Sequence, residues 1–270
     1  MRPVGRRIAG ARSTTVYRWI GGLEDIVFGR VCALCGDPLY KHRARPSQVC
    51  RACTARVYRA ALEGISSRCS MCGRPLLREQ GSCTSCRKLE RAPDFDSHSA
   101  GLEYRGVGEE LIAAFKMQRK RAIVRLAASL VVGSISAGVA RSLKGNGAVS
   151  SLESRVDEVC VPVPPGSLSA KRRDFQPVDL LAREVGRLLD IPVEHLLVRI
   201  GKGLDQKKLG REERARNVSG KFAFHGNPPA PPVIWLIDDV YTTGATVSEC
   251  AKVLKQAGAE EVHVRTVAMD

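Results

Sequence analysis

The pattern of apolar and polar positions divides the chain into a carboxyl-terminal part with regular alternation and an amino-terminal part with little periodicity. Four apolar runs of strand length follow one another, at residues 158–163, 195–200, 233–237 and 261–267. Apolar residues at helical spacing predict helices over 175–189 and 246–257. Strands that alternate with helices predict an α/β fold over residues 158–270, with a parallel sheet, right-handed crossovers and a ligand site at the carboxyl ends of the strands.

Residues 91–157 are expected to form a helical region that connects this domain to the part before it. The pattern predicts a short strand at 102–104 and helices at 108–117 and 123–140. The second helix is the most hydrophobic segment of the chain, but Arg125 and two glycines interrupt it. It falls short of the ~20 apolar residues that a membrane span requires. We therefore expect a buried helix and no membrane span.

The run VIWLIDDVYTTGAT, residues 233–246, carries most of the candidate chemistry. The strand is expected to end before Asp238 and Asp239, so both carboxylates would lie at its carboxyl end. The helix after the turn points unpaired N–H groups back at it, which favours a phosphate, and Gly244 lets the backbone approach closely. Hydroxyl donors come from Thr242, Thr243 and Thr246. Carboxylates beside a phosphate site suit vicinal hydroxyls or a divalent metal, so the run predicts a site for a phosphorylated sugar; a capped helix with an ordinary turn is the alternative.

Two cation-rich loops are expected at the same edge of the sheet. The first is 164–173; the second, 201–221, is long for a compact domain and is expected to close as a lid over the phosphate site. The candidate cationic ligands at this edge are Lys171, Arg172, Arg173, Arg199, Lys202 and Arg214. For each single cation, a solvated surface position is the alternative.

Eight cysteines between residues 32 and 90 form four Cys-x-x-Cys pairs. The pairs are Cys32/Cys35, Cys50/Cys53, Cys69/Cys72 and Cys83/Cys86. Two continue with glycine, in CALCG and CSMCG, which is typical of the knuckle whose backbone N–H groups face the sulfurs. Because four thiolates hold one tetrahedral Zn²⁺, the spacing predicts a double zinc ribbon with two four-cysteine sites. We expect the first four and the last four cysteines to form the two sites, with a cross-braced pairing as the alternative.

Both metals are expected to be structural. A segment this short and this poor in apolar residues cannot fold on a hydrophobic core alone, so metal binding would supply folding free energy. A site with four cysteine ligands also leaves no open position for a substrate.

Charge adds an expectation about partners. The chain of 270 residues has a formal net charge of +15, and residues 1–60 hold twelve lysines and arginines against three acidic residues. Such an excess favours anionic partners, with a solvated basic surface as the alternative. The basic segment 1–31 is predicted to end in a short helix, 19–31, and lacks an apolar segment of signal-peptide length. We therefore expect a cytoplasmic protein whose thiols bind zinc or are buried rather than form disulfides.

The stretch IDDVYTTGAT, residues 237–246, resembles the motif with which type I phosphoribosyltransferases bind 5-phosphoribosyl 1-pyrophosphate (PRPP). The resemblance implies that Asp238 and Asp239 are the catalytic residues and hold the ribose hydroxyls, or Mg²⁺ through water. It also implies a 5-phosphate cradle made of Thr242, Thr243, Gly244, Ala245 and Thr246. The six candidate cations at this edge would then be ligands of the pyrophosphate, beneath the lid. Members that accept 6-oxopurines have an aspartate before the Thr-Gly pair, where this chain has Thr242. This difference argues against hypoxanthine or guanine salvage.

The order of the parts resembles the ComF family, in which a zinc finger precedes a phosphoribosyltransferase-type domain and whose members are linked to competence and DNA uptake. The resemblance covers roughly residues 19–268. Besides the cysteine knuckles and the PRPP motif, it is carried by Tyr104, Lys116, VPVP at 161–164, Gln206, Leu209, Arg214, Asn217 and Phe222. One departure is Asp174, which stands where the family usually has glycine, next to the expected pyrophosphate loop.

Two classes of function are compatible with these features. In an enzyme, a nitrogen nucleophile would displace pyrophosphate at ribose C1, and catalysis would come from positioning, from Mg²⁺ and basic side chains at the pyrophosphate, and from lid closure. In a binding protein, the zinc ribbons and the basic surface would engage single-stranded DNA or a helicase-type partner, and the PRPP site would act as a sensor. No residue pattern selects an acceptor for the phosphoribosyl group.

Overall fold

The computed structural model describes the chain in segments. These are residues 31–39, 48–63, 68–69, 71–74, 76, 81–88, 92–117, 121–142, 157–166, 176–200 and 218–270. The helix predicted before Cys32, the cation-rich end of the first loop and most of the expected lid lie outside the described residues.

The described residues form helices and strands that we number in chain order. The helices are α1 (Arg51–Glu63), α2 (Thr84–Arg87), α3 (Val107–Met117), α4 (Arg121–Ser142), α5 (Pro177–Leu189) and α6 (Ala245–Gln256). The strands are β1 (Ser97–Glu103), β2 (Glu158–Pro162), β3 (Leu197–Arg199), β4 (Phe222–Phe224), β5 (Val233–Tyr241) and β6 (Glu261–Met269).

Four parallel strands form the central sheet in the order β1-β6-β5-β2. Ile234, Leu236 and Ile237 of β5 are fully buried, as expected of an apolar strand that is covered on both faces. Helices α4 and α5 pack on one face of the sheet and α6 packs on the other. The predicted α/β fold with a parallel sheet is confirmed.

The edge strand β1 is longer than the strand predicted at 102–104, because its first half carries polar side chains. Ser97 pairs in register with His263 of β6, and its hydroxyl lies 2.9 Å from the Nδ1 atom of that histidine. The hydroxyl of Ser99 lies 3.0 Å from that of Ser134 on α4. Buried polar groups that find partners inside the protein do not disturb a strand, but they hide it from a search for apolar runs.

The strand predicted at 195–200 was wrongly assigned to the parallel sheet. Its core, β3, pairs antiparallel with β4 in a separate two-stranded sheet. The segment before β3 pairs with the outer edge of β2 at a single position, where Val193 forms an isolated parallel bridge with Cys160. Residues beyond that bridge leave the central sheet and find their partner in β4, a strand that the sequence did not predict.

The two cysteine-rich ribbons pack against different faces of the sheet domain. Cys32, Cys53 and Val57 belong to the apolar cluster that contains α3 and α4, and Arg56 forms an ion pair with Glu110 of α3. The second set of cysteines belongs to the cluster that contains α6 and the end of β5. The sheet domain is therefore held between two small cysteine-rich units.

Helix α4 confirms the buried helix expected at 123–140, since Ile123, Ala127, Ala128 and Val131 are fully buried. Within the described segments, no helix is both long enough and apolar enough to cross a membrane.

Candidate phosphoribosyl and zinc sites

Asp238 and Asp239 lie inside β5 and not beyond its end, which corrects the expectation that the strand stops at residue 237. The strand continues to Tyr241 because β6 remains in register beside it, with Asp238 opposite Thr266 and Tyr241 opposite Met269. Successive side chains of a strand point to opposite faces. The two carboxylates therefore flank the strand, with Asp239 on the side of α3 and Asp238 on the side of α6.

The pKa of Asp238 is raised above the usual value of an aspartate. Burial raises its pKa, the neighbouring charge of Asp239 raises it further, and together they bring the pKa to about 7. Two contacts oppose this shift, namely the N–H of Asp239, which donates to Asp238 Oδ1 at 2.8 Å, and the positive charge of Lys116. A carboxyl group that titrates near neutral pH is characteristic of functional sites.

Lys116 contacts the candidate site, although the sequence indicated it only as one of the residues that carry the resemblance to the ComF family. Its Nζ atom lies 2.9 Å from Asp239 Oδ2, and both side chains are partly shielded from water. Helix α3 begins after β1 at the carboxyl edge of the sheet, and the ion pair shows that its last turn also lies beside the end of β5. The place of Lys116 among the residues that carry the family resemblance was the signal that could have revealed it.

The turn after β5 leads through Gly244 directly into α6. Gly244 precedes α6 with a φ of 77°, in the left-handed region that favours glycine. A Cβ atom at this position would lie 2.3 Å from the hydroxyl of Tyr241, so the turn packs directly on that ring. The hydroxyl of Thr243 accepts a hydrogen bond of 3.4 Å from the N–H of Ala245. The first turn of α6 itself contains no acidic residue, although its Ser248 hydroxyl donates to Asp94 Oδ2 at 3.1 Å.

Of the six candidate pyrophosphate ligands, Arg199 is the one that the described residues include. Its guanidinium lies over the ring of Phe222 at 5.1 Å, and burial lowers its pKa. Its Nε atom is buried and has no hydrogen-bond partner among the described residues. The remaining candidates, Lys171, Arg172, Arg173, Lys202 and Arg214, lie outside the described residues.

The cysteines form two separate groups, each suited to one metal ion. The groups are Cys32, Cys35, Cys50 and Cys53, and Cys69, Cys72, Cys83 and Cys86. Within each group the four sulfur atoms lie within 4.8 Å of one another. A tetrahedral Zn²⁺ with Zn–S bonds of about 2.3 Å separates its sulfurs by about 3.8 Å. The observed sulfur distances of 3.9 Å for Cys35–Cys50 and 3.8 Å for Cys72–Cys83 match that value, and the sequential pairing is confirmed.

Backbone N–H groups surround the sulfurs, as a thiolate site requires. In the second group, the N–H of Cys83 donates to Cys69 Sγ at 3.2 Å and the N–H of Cys86 donates to Cys83 Sγ at 3.4 Å. Burial raises the pKa of Cys69, but backbone donors outweigh it and lower the pKa to about 7. The backbone donors of this knuckle thus favour the charged form of Cys69, which is the form that binds zinc.

Known proteins resemble this chain both in its cysteine-rich part and over most of its length. Residues 23–87 match the family described as Double zinc ribbon domain. The chain is 29% identical to Competence protein F of Haemophilus influenzae over 199 residues, which are 73% of this chain and 82% of that protein. It is also 29% identical to the DNA utilization protein YhgH of Salmonella typhimurium over 236 residues, which are 87% of this chain and 94% of that protein.

Two other comparisons cover smaller parts of the chain. Competence protein ComFC of Streptococcus pneumoniae is 39% identical over 61 residues, which are 19% of this chain and 28% of that protein. A purine phosphoribosyltransferase from Pyrococcus horikoshii aligns with 42% of this chain and 60% of its own, with 19% identity and a TM-score of 0.24.

The matches to Competence protein F and YhgH span most of both chains, and the zinc ribbon lies where the resemblance to the ComF family requires it. The chain is accordingly a homologue of the ComF-type competence proteins, with a double zinc ribbon in front of a parallel-sheet α/β domain.

Proposed function

We propose that the site at the end of β5 binds PRPP, or a ribose 5-phosphate moiety, together with Mg²⁺. The observation that supports this most is the adjacency of Asp238 and Asp239 to the Gly244 turn and the open amino end of α6. The helix end would take the 5-phosphate through backbone N–H groups and threonine hydroxyls. The carboxylates would accept hydrogen bonds from the ribose hydroxyls.

Mg²⁺ fits the same residues, because it prefers carboxylate oxygens and keeps several of its waters. Asp238 and Asp239 would hold it through water, and when bound it would neutralise charge on the pyrophosphate. Lys116 compensates the charge of Asp239, so the site need not carry two uncompensated carboxylates before the ligand arrives.

We further propose that the domain transfers the phosphoribosyl group to a nitrogen acceptor. The C–N bond forms at ribose C1 as the C–O bond to pyrophosphate breaks, and the pyrophosphate leaves with the bonding electrons. No side chain has to act as a nucleophile; the chain contributes binding, orientation and exclusion of water. Arg199 and the five cations outside the described residues would stabilise the leaving group. The release of pyrophosphate from PRPP in the presence of candidate amines and bases tests for turnover.

Calorimetric titration of PRPP with Mg²⁺ tests binding itself. We expect binding by the wild-type protein and loss of at least about tenfold in affinity in Asp238→Asn and Asp239→Asn, because an amide cannot replace an acceptor-only carboxylate. Asp190→Asn is a matched control, since Asp190 is exposed at the end of α5 and asparagine tolerates its φ of 58°. Equal heats in all four proteins would contradict the proposal.

A second function is favoured by the exposed face of α1. Arg51, Tyr58 and Arg59 are exposed there, which combines two cations with an aromatic ring that a base could stack on. The names of the relatives refer to competence and DNA utilization. On this proposal the first ribbon binds single-stranded DNA or a partner such as a helicase.

Binding of a labelled oligonucleotide tests the second function. We expect affinity to fall steeply with salt, and the Arg51→Ala/Arg59→Ala variant to weaken binding and flatten the salt dependence, since each lost phosphate contact reduces the slope by about 0.7. Arg187→Ala on α5 is the control, because Arg187 is exposed and paired with Glu184. Unchanged affinity and slope in the double variant would exclude α1 as the contact surface.

A further inference from the structure

His98 is a buried histidine that the proposed binding site does not use directly. It lies in β1, only 7% exposed, with Nδ1 2.6 Å from the carbonyl oxygen of Cys72 and Nε2 2.9 Å from Thr266 Oγ1. A carbonyl oxygen only accepts, so Nδ1 must carry the proton and Nε2 must accept from the Thr266 hydroxyl. Burial lowers the pKa of His98 to about 3, in agreement with a neutral ring.

The partner of Nδ1 belongs to the second zinc knuckle. Cys72 is one of the four sulfur ligands, and the next residue, Gly73, has a φ of 71°. A Cβ atom on Gly73 would lie 2.7 Å from the backbone oxygen of His98 and 3.3 Å from its Nδ1 atom. The knuckle therefore packs on the backbone and ring of His98 without space between them.

The ring of His98 also supports the turn of residues 242–244 between β5 and α6, which we call the phosphate turn. Its ring stacks on Tyr241 with centroids 4.1 Å apart and an interplanar angle of 26°. The hydroxyl end of Tyr241 lies against Gly244, the last residue of the turn before α6. His98 thus lies between the zinc knuckle on one side and the residue beneath the phosphate turn on the other.

A second connection runs parallel to the first. Arg74, which follows the knuckle, donates from Nη2 to the backbone oxygen of Asp270 at 2.8 Å. The N–H of Asp270 donates to the backbone oxygen of Tyr241 at 2.9 Å. The second ribbon is therefore connected to Tyr241 twice, through His98 on the side of the ring and through Asp270 on the side of the backbone. Thr266, the partner of His98 Nε2, is also the register neighbour of Asp238.

We propose that His98 is a positioning residue that fixes the phosphate turn against the second zinc knuckle. Metal in the second site then keeps the turn ordered and raises the affinity for the sugar phosphate. This inference rests on the proposed function only for the identity of the ligand. The order of the turn can be measured without any ligand.

Amide hydrogen exchange over residues 242–247 of the full chain is the first measurement. We expect His98→Phe, which keeps a ring against Tyr241 but loses both hydrogen bonds, to exchange at least tenfold faster there. Cys86→Ser, which removes a ligand of the second zinc site, should have the same effect, and Cys53→Ser in the first site should change the turn less than twofold. Unchanged exchange in both His98→Phe and Cys86→Ser would overturn the proposal.

Zinc content and the affinity for ribose 5-phosphate are the second measurements. His98→Phe and His98→Asn should retain two zinc ions per chain and bind at least tenfold more weakly. His263→Asn is the matched control, because His263 is a largely buried histidine of the same sheet whose bonds go to Ser97 and Glu261. A loss of zinc in the His98 variants, or a loss of affinity in His263→Asn as large as in the His98 variants, would show a general structural effect and overturn the positioning role.

The two proposals fail in distinguishable ways. If wild-type protein binds no ribose 5-phosphate but the turn exchanges faster in His98→Phe and Cys86→Ser, the proposed ligand is wrong and the coupling stands. If wild-type protein binds ribose 5-phosphate but hydrogen exchange in the turn is unchanged in His98→Phe and Cys86→Ser, the coupling is wrong and the proposed function stands.

Discussion

Lys116 Nζ lies 2.9 Å from Asp239 Oδ2, and this ion pair joins helix α3 to the strand that carries both motif carboxylates. The positive charge of Lys116 compensates the neighbouring carboxylate and also lowers the pKa of Asp238 against the effects of burial and of Asp239. One lysine from the connecting region thus pairs with one acid of the site and lowers the pKa of the other. Its removal should change how the site responds to pH more than it changes the fold.

The first prediction concerns that lysine. Lys116→Met should raise the pH midpoint of PRPP binding by about 0.5–1 unit, because Asp238 and Asp239 then lack a compensating cation. Lys116→Arg should stay within about 0.3 units of the wild type, since the charge is retained. Calorimetric titrations between pH 6 and 9 measure the midpoint. A Lys116→Met profile that overlays the wild type would show that the pair has no influence on the acids.

The second prediction is the pH dependence of the wild-type site. Asp238 must be ionised to accept a hydrogen bond from a ribose hydroxyl, and its pKa is raised to about 7 by burial and by the charge of Asp239. Affinity should therefore be full above pH 8 and should fall by about tenfold per unit well below pH 7. The phosphate of ribose 5-phosphate also titrates in this pH range. The Asp238→Asn variant lacks the Asp238 carboxyl, so its pH profile shows the contribution of the ligand without that of Asp238. Identical slopes for the two proteins would place the titrating group elsewhere.

The third prediction links the same residue to stability. The folded state holds a proton on Asp238 up to about pH 7, whereas an aspartate in the unfolded chain loses it near pH 4. The contribution of this group to stability is therefore present below pH 4 and is lost as the pH rises from about 4 to 7. Asp238→Asn does not titrate, so its melting temperature should exceed that of the wild type by roughly 2–4 °C at pH 8. The difference should disappear at pH 4, and a difference that is constant with pH would exclude the raised pKa as its cause.

Local patterns were sufficient to predict part of this molecule. The apolar centre of β5, the Gly244 turn and the stripe of α6 are set by residues close in sequence, and the structure places them as expected. The two zinc sites could also be predicted from the cysteine spacing, because four thiolates at fixed spacing have few ways to surround one metal ion. Fold class and zinc sites therefore followed from short-range information.

The contacts that tune the site could not be predicted in this way, because they join distant segments. Lys116 meets Asp239 because the sheet brings β1 and β5, which are far apart in sequence, to opposite sides of β6, and the polar residues of β1 conceal that strand. His98 resembles an ordinary polar surface residue until the sheet and the second ribbon enclose it. The continuation of β5 through its carboxylates likewise depends on the register with β6.

The last prediction concerns Arg199, the candidate pyrophosphate ligand within the described residues. Its guanidinium is half-buried over Phe222, its Nε atom has no partner among the described residues, and burial lowers its pKa. A partly buried cation with no carboxylate partner in the described part of the chain is costly by itself, and an arriving anion compensates it. Arg199→Met should therefore weaken PRPP binding by about tenfold or more, in the range of one charge-assisted hydrogen bond. Binding of ribose 5-phosphate, which lacks the pyrophosphate, should change less than about twofold, since the free energy lost belongs to a group that this ligand does not have.

Arg199→Lys separates the charge of this residue from its shape. Lysine keeps the positive charge but cannot form a two-pronged contact with a pyrophosphate or stack its head on Phe222 in the same way. Its PRPP affinity should fall between those of the wild type and Arg199→Met. Calorimetry with both ligands on all three proteins gives the comparison. Equal losses for PRPP and ribose 5-phosphate in Arg199→Met would mean that the arginine supports the β3–β4 pair through Phe222, and its assignment to the pyrophosphate would then be wrong.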